Sequence, residues 1–187
     1  MRPNTNLPQE LKTNLATFIT KLQKTYKRDS VRFTKPEKLH ITLQFLEKIN
    51  ANDVEPLLAA VRQELKQHSN SFRLHFGEME LFPTPYQPRI ISIQVGPNKE
   101  LAHLANLIGK GILNTGYTIE TRPFRGHLTL GKINHSERNF VLEKISSPHL
   151  GKMTVNEIIL FKSEQKPQGS LYTPIEKIAL DVKSHYE

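Results

Sequence analysis

Leu39-His40-Ile41-Thr42-Leu43-Gln44-Phe45-Leu46 alternates polar and apolar side chains, with Ile41, Leu43 and Phe45 on one face, and reads as a half-buried strand over His40 to Leu46. The pattern returns in Phe124-Arg125-Gly126-His127-Leu128-Thr129-Leu130-Gly131-Lys132, a second strand over His127 to Ile133. Laid over one another, the two stretches match in chemistry as well as in hydropathy. Pro36 and Pro123 stand four residues before each histidine, Lys38 and Arg125 two before it, Thr42 and Thr129 two after it, and Leu43 and Leu130 three after it. Such an echo points to a duplicated α+β half, with two copies packed so that equivalent strands face a shared cleft.

The segments around these strands fit that reading. Leu11, Leu15, Phe18 and Leu22 stand at helical spacing between Pro8 and Tyr26, and Val54, Leu57, Leu58, Val61 and Leu65 form the stripe of a second helix ending near His68, with Asn52 or Asp53 as its cap. A third helix spans Lys99 to Leu113, with Gly116 as its stop signal. Phe72 to Phe82 and Arg89 to Val95 are β-like and separated by Pro83, Pro85 and Pro88; a short strand is expected at Val31 to Phe33 and a short helix around Glu137 to Ile145. Val155 to Lys162 and Ile175 to Val182 read as closing strands. Helices interrupt strands throughout, so the fold class is α+β, as one compact unit over residues 1–187 that can carry two lobes.

Composition narrows the function. No apolar run is long enough to span a membrane, Met1 to Glu10 lacks the apolar core of a secretion signal, and the chain has no cysteine, so a cytoplasmic, membrane-free protein is expected. The missing cysteines also remove disulfides, thiolate nucleophiles and cysteine-based zinc sites. A formal charge of +8 attracts polyanions such as RNA. There is no Walker-type phosphate loop, since Gly109-Lys110-Gly111 lies inside a helical pattern, and no G-x-S-x-G elbow.

The two motifs themselves supply a chemistry. Side chains two apart on a strand share a face, so His40 with Thr42, and His127 with Thr129, each make a polar pair about 7 Å apart. One such motif alone reads as the solvated side of a sheet; two in matching register read as a site. Near neutral pH one imidazole can take a proton while another gives one, which is what phosphodiester cleavage requires, and the two hydroxyls can hold non-bridging oxygens. On these grounds either histidine can play either part, and neither a metal nor a cofactor is needed. Eight histidines raise the alternative of a zinc site, but no HExxH or carboxylate cluster accompanies either motif. His68, His75, His103, His135, His149 and His185 have no partner pattern and read as surface or packing residues.

With these residues in view, the chain resembles the 2H phosphoesterases, whose mark is a tandem His-x-Thr motif, and within them the branch of RNA 2′,3′-cyclic phosphodiesterases once called 2′-5′ RNA ligases. Leu7-Pro8 before the first helix, the Phe82-Pro83 turn, and Ser163, Gly169 and Tyr172 before a final strand extend the resemblance over nearly the whole chain. It implies two pseudo-symmetric lobes with antiparallel sheets lining a central cleft and helices outside. It also implies hydrolysis of RNA or nucleotide 2′,3′-cyclic phosphates to 2′-phosphates by a monomer, with His127 as general base, His40 as general acid, and Thr42 and Thr129 on the phosphate. Lys132 stands where the family has a phosphate-binding arginine, keeping the charge without the bidentate fork, and Arg125 is a further candidate for substrate binding. Strict alternation puts Lys132 on the face opposite His127 unless Gly131 introduces a bulge or the strand ends there. Two other departures set expectations: Met1 to Asn6 is a poor strand, so a sheet edge is missing or replaced, and Gly126, in place of a proline, loosens the backbone before His127. The competing readings are a related 2H activity (2′-5′ ligation or linkage cleavage, or opening of an ADP-ribose cyclic phosphate) and an RNA-binding module without catalysis.

Overall fold

A computed structural model describes residues 2–27, 29–46, 49–68, 70–137, 140–166 and 169–181. Its strands form two antiparallel sheets. In the first, β3 (His40–Thr42), β1 (Arg2–Asn6), β8 (Glu157–Lys166) and β9 (Gly169–Ala179) lie in that order. In the second, β2 (Val31–Phe33), β6 (His127–Ile133), β5 (Ile90–Gly96), β4 (Phe72–Phe82) and β7 (Lys152–Val155) follow one another. The sheets meet where β3 passes β6, with Cα atoms within 8 Å of each other. The two strands carrying the repeated motif are therefore neighbours across the junction, as the echo in the sequence predicts.

The helices form where the apolar spacing places them. α1 (Gln9–Thr25) buries Leu11, Leu15, Phe18, Ile19 and Leu22. In α2 (Val54–His68) Leu57, Leu58, Val61 and Leu65 are buried, and in α3 (Asn98–Leu113) Leu101, Leu104, Ile108 and Ile112. Burying each such side chain contributes on the order of 1.5–3 kcal/mol. α3 packs on β5 and α2 packs on α3. A Cβ on Gly111 would lie 2.7 Å from the Val61 Cα, so this glycine lets the two helix backbones touch, at a helix-propensity cost of about 1 kcal/mol. Asp53 does not cap α2; its carboxylate accepts hydrogen bonds from the Tyr117 hydroxyl (2.6 Å) and the Asn50 amide (3.0 Å).

Other expectations give way. The N-terminal segment is not a poor strand: β1 is flanked by β3 on one side and β8 on the other, with Asn4 and Thr5 buried. Two-sided pairing overrides weak β propensity. Proline is tolerated there because its carbonyl accepts the Leu43 N–H (2.9 Å), so its missing N–H falls on that same side, beyond the end of β3. β3 stops at Thr42 instead of running to Leu46, and Gln44 turns its amide to the Ala105 carbonyl of α3 (3.2 Å).

No helix forms over Glu137 and residues 140–145. Phe140 stacks on Tyr26 (5.1 Å between ring centroids), and the Glu143 N–H donates to the Tyr26 hydroxyl (2.9 Å), which pins an irregular chain beside the end of α1. Finally, Val155 closes β7 rather than opening the next strand, since Asn156 separates β7 from β8. The last strand is Gly169–Ala179, displaced toward the N-terminus from its expected span, of which Val182 lies outside the described residues.

Candidate active site

On β3, His40 and Thr42 flank the fully buried Ile41 and share the other face of the strand. The His40 Nδ1 donates to the carbonyl of Lys38 (2.7 Å), the last residue of a 3-10 turn, Pro36–Lys38. A carbonyl has no proton to give, so Nδ1 carries one, and Nε2 is the ring nitrogen that can take or give a proton. The Tyr172 ring of β9 meets the imidazole edge-on, with centroids 5.2 Å apart.

On β6 the same arrangement recurs. His127 and Thr129 alternate with the buried Leu128 and Leu130, and the His127 Nδ1 donates to the carbonyl of Arg125 (2.9 Å), again two residues back. Here the aromatic neighbour is Phe82 at the end of β4, stacked on the imidazole at 4.1 Å. The Arg125 guanidinium lies over Phe82 (4.5 Å), pairs with Glu80 (2.8 Å) and donates to the Pro83 carbonyl (3.3 Å). Burial pushes His127 below the ordinary histidine range; the Arg125 charge adds to this, while its hydrogen bond to the Arg125 carbonyl and the nearby Glu80 oppose it. The net result is an imidazole held neutral, with its proton on Nδ1 and a lone pair on Nε2.

Gly126 does not loosen this strand. Its N–H donates to the Asn98 side chain (2.9 Å), and its carbonyl accepts the Val95 N–H (3.2 Å). Its φ is not positive, and a Cβ at this position would lie 2.7 Å from both the Val95 carbonyl oxygen and Leu101 Cδ1. Glycine is required by close backbone approach.

The bulge that Lys132 needs is present. Ser92 pairs with Thr129 while its neighbour Ile91 pairs with Gly131, so Leu130 is an extra residue on β6; its carbonyl accepts the Thr34 N–H (2.7 Å). The extra residue reverses the alternation: Leu128 and Leu130 are buried before it, Gly131 and Ile133 after it, and Lys132 is exposed on the face of His127 and Thr129. Of the six residues singled out in the sequence, His40 and Thr42 thus share one face of β3, and His127, Thr129 and Lys132 one face of β6. Arg125 precedes β6 with its guanidinium engaged by Glu80 and Phe82.

Other neighbours were not legible in the motifs. Asn4 is directly opposite Thr42, and Ser92 directly opposite Thr129, both buried. The Asn4 Oδ1 and Ser92 Oγ have no hydrogen-bond partner among the described residues, so each threonine stands beside a polar position of the adjoining strand. Strand pairing alone reveals these, and the Phe82 stack joins strands that are not adjacent in the sheet. Among the described residues no three His, Asp or Glu side chains are grouped to hold a metal ion, and no helix is long and apolar enough to cross a membrane.

The chain is similar in sequence and in fold to several known proteins. An RNA 2′,3′-cyclic phosphodiesterase of Archaeoglobus fulgidus is 31% identical over 145 residues, 76% of this chain and 80% of that protein. One from Methanothermobacter thermautotrophicus is 25% identical over 186 residues, 96% of this chain and all of that one. Among solved structures, a Thermus thermophilus protein superposes with a TM-score of 0.79 at 22% identity, over 98% of this chain and 100% of that chain. E. coli LigT complexed with 3′-AMP superposes with a TM-score of 0.74 at 22% identity, over 96% of each. These likenesses show that the fold is shared. The model of the 2′-5′ RNA ligase superfamily matches residues 11–167, and the chain belongs to that superfamily.

Proposed function

We propose that this protein hydrolyses the 2′,3′-cyclic phosphate at the end of an RNA chain, or of a nucleotide, to a 2′-phosphate without a metal or cofactor. The observation that carries the reading is the pair of imidazoles on adjoining strands, each with Nδ1 tied to the carbonyl two residues back. Each Nε2 is then set to move a proton. His127, kept neutral by burial, is the base: its Nε2 takes a proton from water as the water oxygen bonds to phosphorus. The P–O3′ bond breaks on the opposite side, and protonated His40 gives its Nε2 proton to O3′. Thr42, Thr129 and Lys132 hold the non-bridging oxygens, where negative charge grows in the transition state. Arg125 acts one step back, with its guanidinium on Phe82 and Phe82 on His127.

The relatives named RNA 2′,3′-cyclic phosphodiesterase support this choice over the other 2H activities. An RNA-binding module without catalysis has no use for two imidazoles fixed in the same tautomer. The net charge of +8 suits an RNA substrate, and a cytoplasmic monomer working as one bilobal unit fits the same reading. The test is incubation of the purified protein with adenosine 2′,3′-cyclic phosphate in EDTA, with products separated against 2′-AMP and 3′-AMP. The reading expects 2′-AMP. Predominance of 3′-AMP reverses the acid and base, and no turnover in EDTA that zinc or magnesium restores would replace the mechanism with a metal-dependent one.

A further inference from the structure

We infer that Arg32, side by side with Lys132, forms a subsite for a second phosphate, the phosphodiester on the 5′ side of the terminal ribose, so that the protein selects RNA ends over cyclic mononucleotides. The inference rests on the function proposed above. Strand register carries it. Arg32 on β2 pairs with Lys132 on β6, Lys132 with Ile90 on β5, and Ile90 with Phe82 on β4, which makes one row across four strands. Three inter-strand spacings make that row about 14 Å long, whereas a stacked nucleic-acid strand advances about 3.4 Å per nucleotide, so the row has room for more than one.

The row lies on the face of Thr129. A Cβ on Gly131 would strike Val31 Cγ1 (2.7 Å) and Phe33 Cδ1 (3.2 Å), so both β2 neighbours of Arg32 turn toward the core side of β6, and Arg32 turns the other way. Without the Leu130 bulge, Arg32 and Lys132 would sit in the opposite register to His127 and Thr129. With it, Lys132 is one row from Thr129, within reach of the phosphate being cleaved, and Arg32 is one strand farther out.

Charge then says what belongs there. Arg32 is exposed and makes no ion pair with a carboxylate among the described residues, while Glu80 of the neighbouring row is taken by Arg125. Like charges directly opposite on paired strands repel. An anion bound beside Arg32 meets that charge, and a guanidinium suits a phosphate diester better than an ammonium does because its planar fork grips two oxygens.

The experiment compares Arg32→Gln and Arg32→Lys with wild type on two substrates: a short RNA ending in a 2′,3′-cyclic phosphate, and adenosine 2′,3′-cyclic phosphate. Arg32→Gln is expected to lower the RNA-to-mononucleotide ratio of kcat/KM about tenfold, mainly through KM, as loss of a charge-assisted contact should. It should also reduce by about one the slope of log affinity against log salt, measured by fluorescence anisotropy of a fluorescein-labelled RNA ending in a 2′-phosphate. Arg32→Lys should restore the salt slope and part of the ratio. An unchanged ratio with an unchanged slope overturns the subsite, and equal losses on both substrates move Arg32 to the phosphate being cleaved. If wild type cleaves neither substrate, the proposed function fails by itself, and the anisotropy arm still decides on Arg32.

Discussion

Gly126→Ala separates two opposite accounts of the residue before His127, the base of the proposed mechanism. If this glycine served as a loose joint, alanine would be accepted, because φ is not positive, and would stabilise the fold by about 0.4–1 kcal/mol through a less flexible unfolded chain. The structure gives the other sign. The new Cβ would sit 2.7 Å from the Val95 carbonyl oxygen, where real Cβ contacts essentially never fall below 3.0 Å, so backbone must yield by ~0.3 Å or more. Leu101 Cδ1, the other atom in its way at 2.7 Å, belongs to a fully buried side chain. Overpacking of this kind costs about 1–3 kcal/mol. In a chain of 187 residues each kcal/mol is worth about 2–4 °C, so Tm should drop by roughly 2–12 °C. Because Arg125 and His127 flank the site of strain, and the Arg125 carbonyl holds the imidazole, kcat should fall about threefold to tenfold, a fraction of the ~10²-fold that a 1 Å misplacement costs. Calorimetry and steady-state kinetics on cyclic nucleotide read both quantities. A Tm at or above wild type with kcat unchanged would refute close packing as the reason for this glycine.

His40→Ala and His127→Ala should each lower turnover by about 10²-fold or more with circular dichroism unchanged, and the double variant should lose far less than the product of the two, since the pair acts as a unit; near wild-type rates in either single variant would end the two-histidine mechanism. The acid limb of kcat/KM should lie below pH 6.5, the ordinary histidine value, because burial lowers the His127 pKa and activity is lost only as falling pH protonates it. Phe82→Ala uncovers the imidazole, so its pKa rises and the acid limb moves to higher pH; a limb that stays put would show that the stacked ring does not set the proton affinity of His127. Turnover should be the same in EDTA as in magnesium, which parallel progress curves will check.

The parts of the fold that were legible in the sequence are those in which local pattern and tertiary packing agree. The i, i+3, i+4 spacing of Leu11, Leu15, Phe18 and Leu22 could mean little else, and all four are buried on one side of α1. Arg2 to Asn6 failed for the opposite reason. One proline and two asparagines disfavour a strand against a single β-branched threonine, and the segment is extended because β3 and β8 both bond to it. Glu137 to Ile145 failed likewise, its apolar residues being spaced for a helix while Phe140 stacks on Tyr26 and the Glu143 N–H bonds to the Tyr26 hydroxyl. Lys132 is an intermediate case. The sequence poses the condition, a bulge near Gly131, but whether β6 gains a residue there depends on how Ile91 and Ser92 pair with it.

The candidate site divides along the same line. The tie between each imidazole and the carbonyl two residues earlier is local, so a short repeated motif encodes it twice and the two halves come out alike. What makes the halves differ is not local. Phe82 reaches His127 across an intervening strand and carries the Arg125 charge on its other contact, whereas His40 meets Tyr172 by an edge, from a strand near the end of the chain. Opening a cyclic phosphate needs one acid–base group that begins the reaction neutral and one that begins it protonated, so something must make the two unlike. In the proposed mechanism the duplicated motif supplies the geometry, and the unlike surroundings of His40 and His127 supply the direction. Exchanging those surroundings tests the point: Phe82→Ala together with Tyr172→Phe should erode the pH separation of the two limbs more than it lowers the maximum rate, and a bell of unchanged width would place the asymmetry in the substrate instead of in the protein.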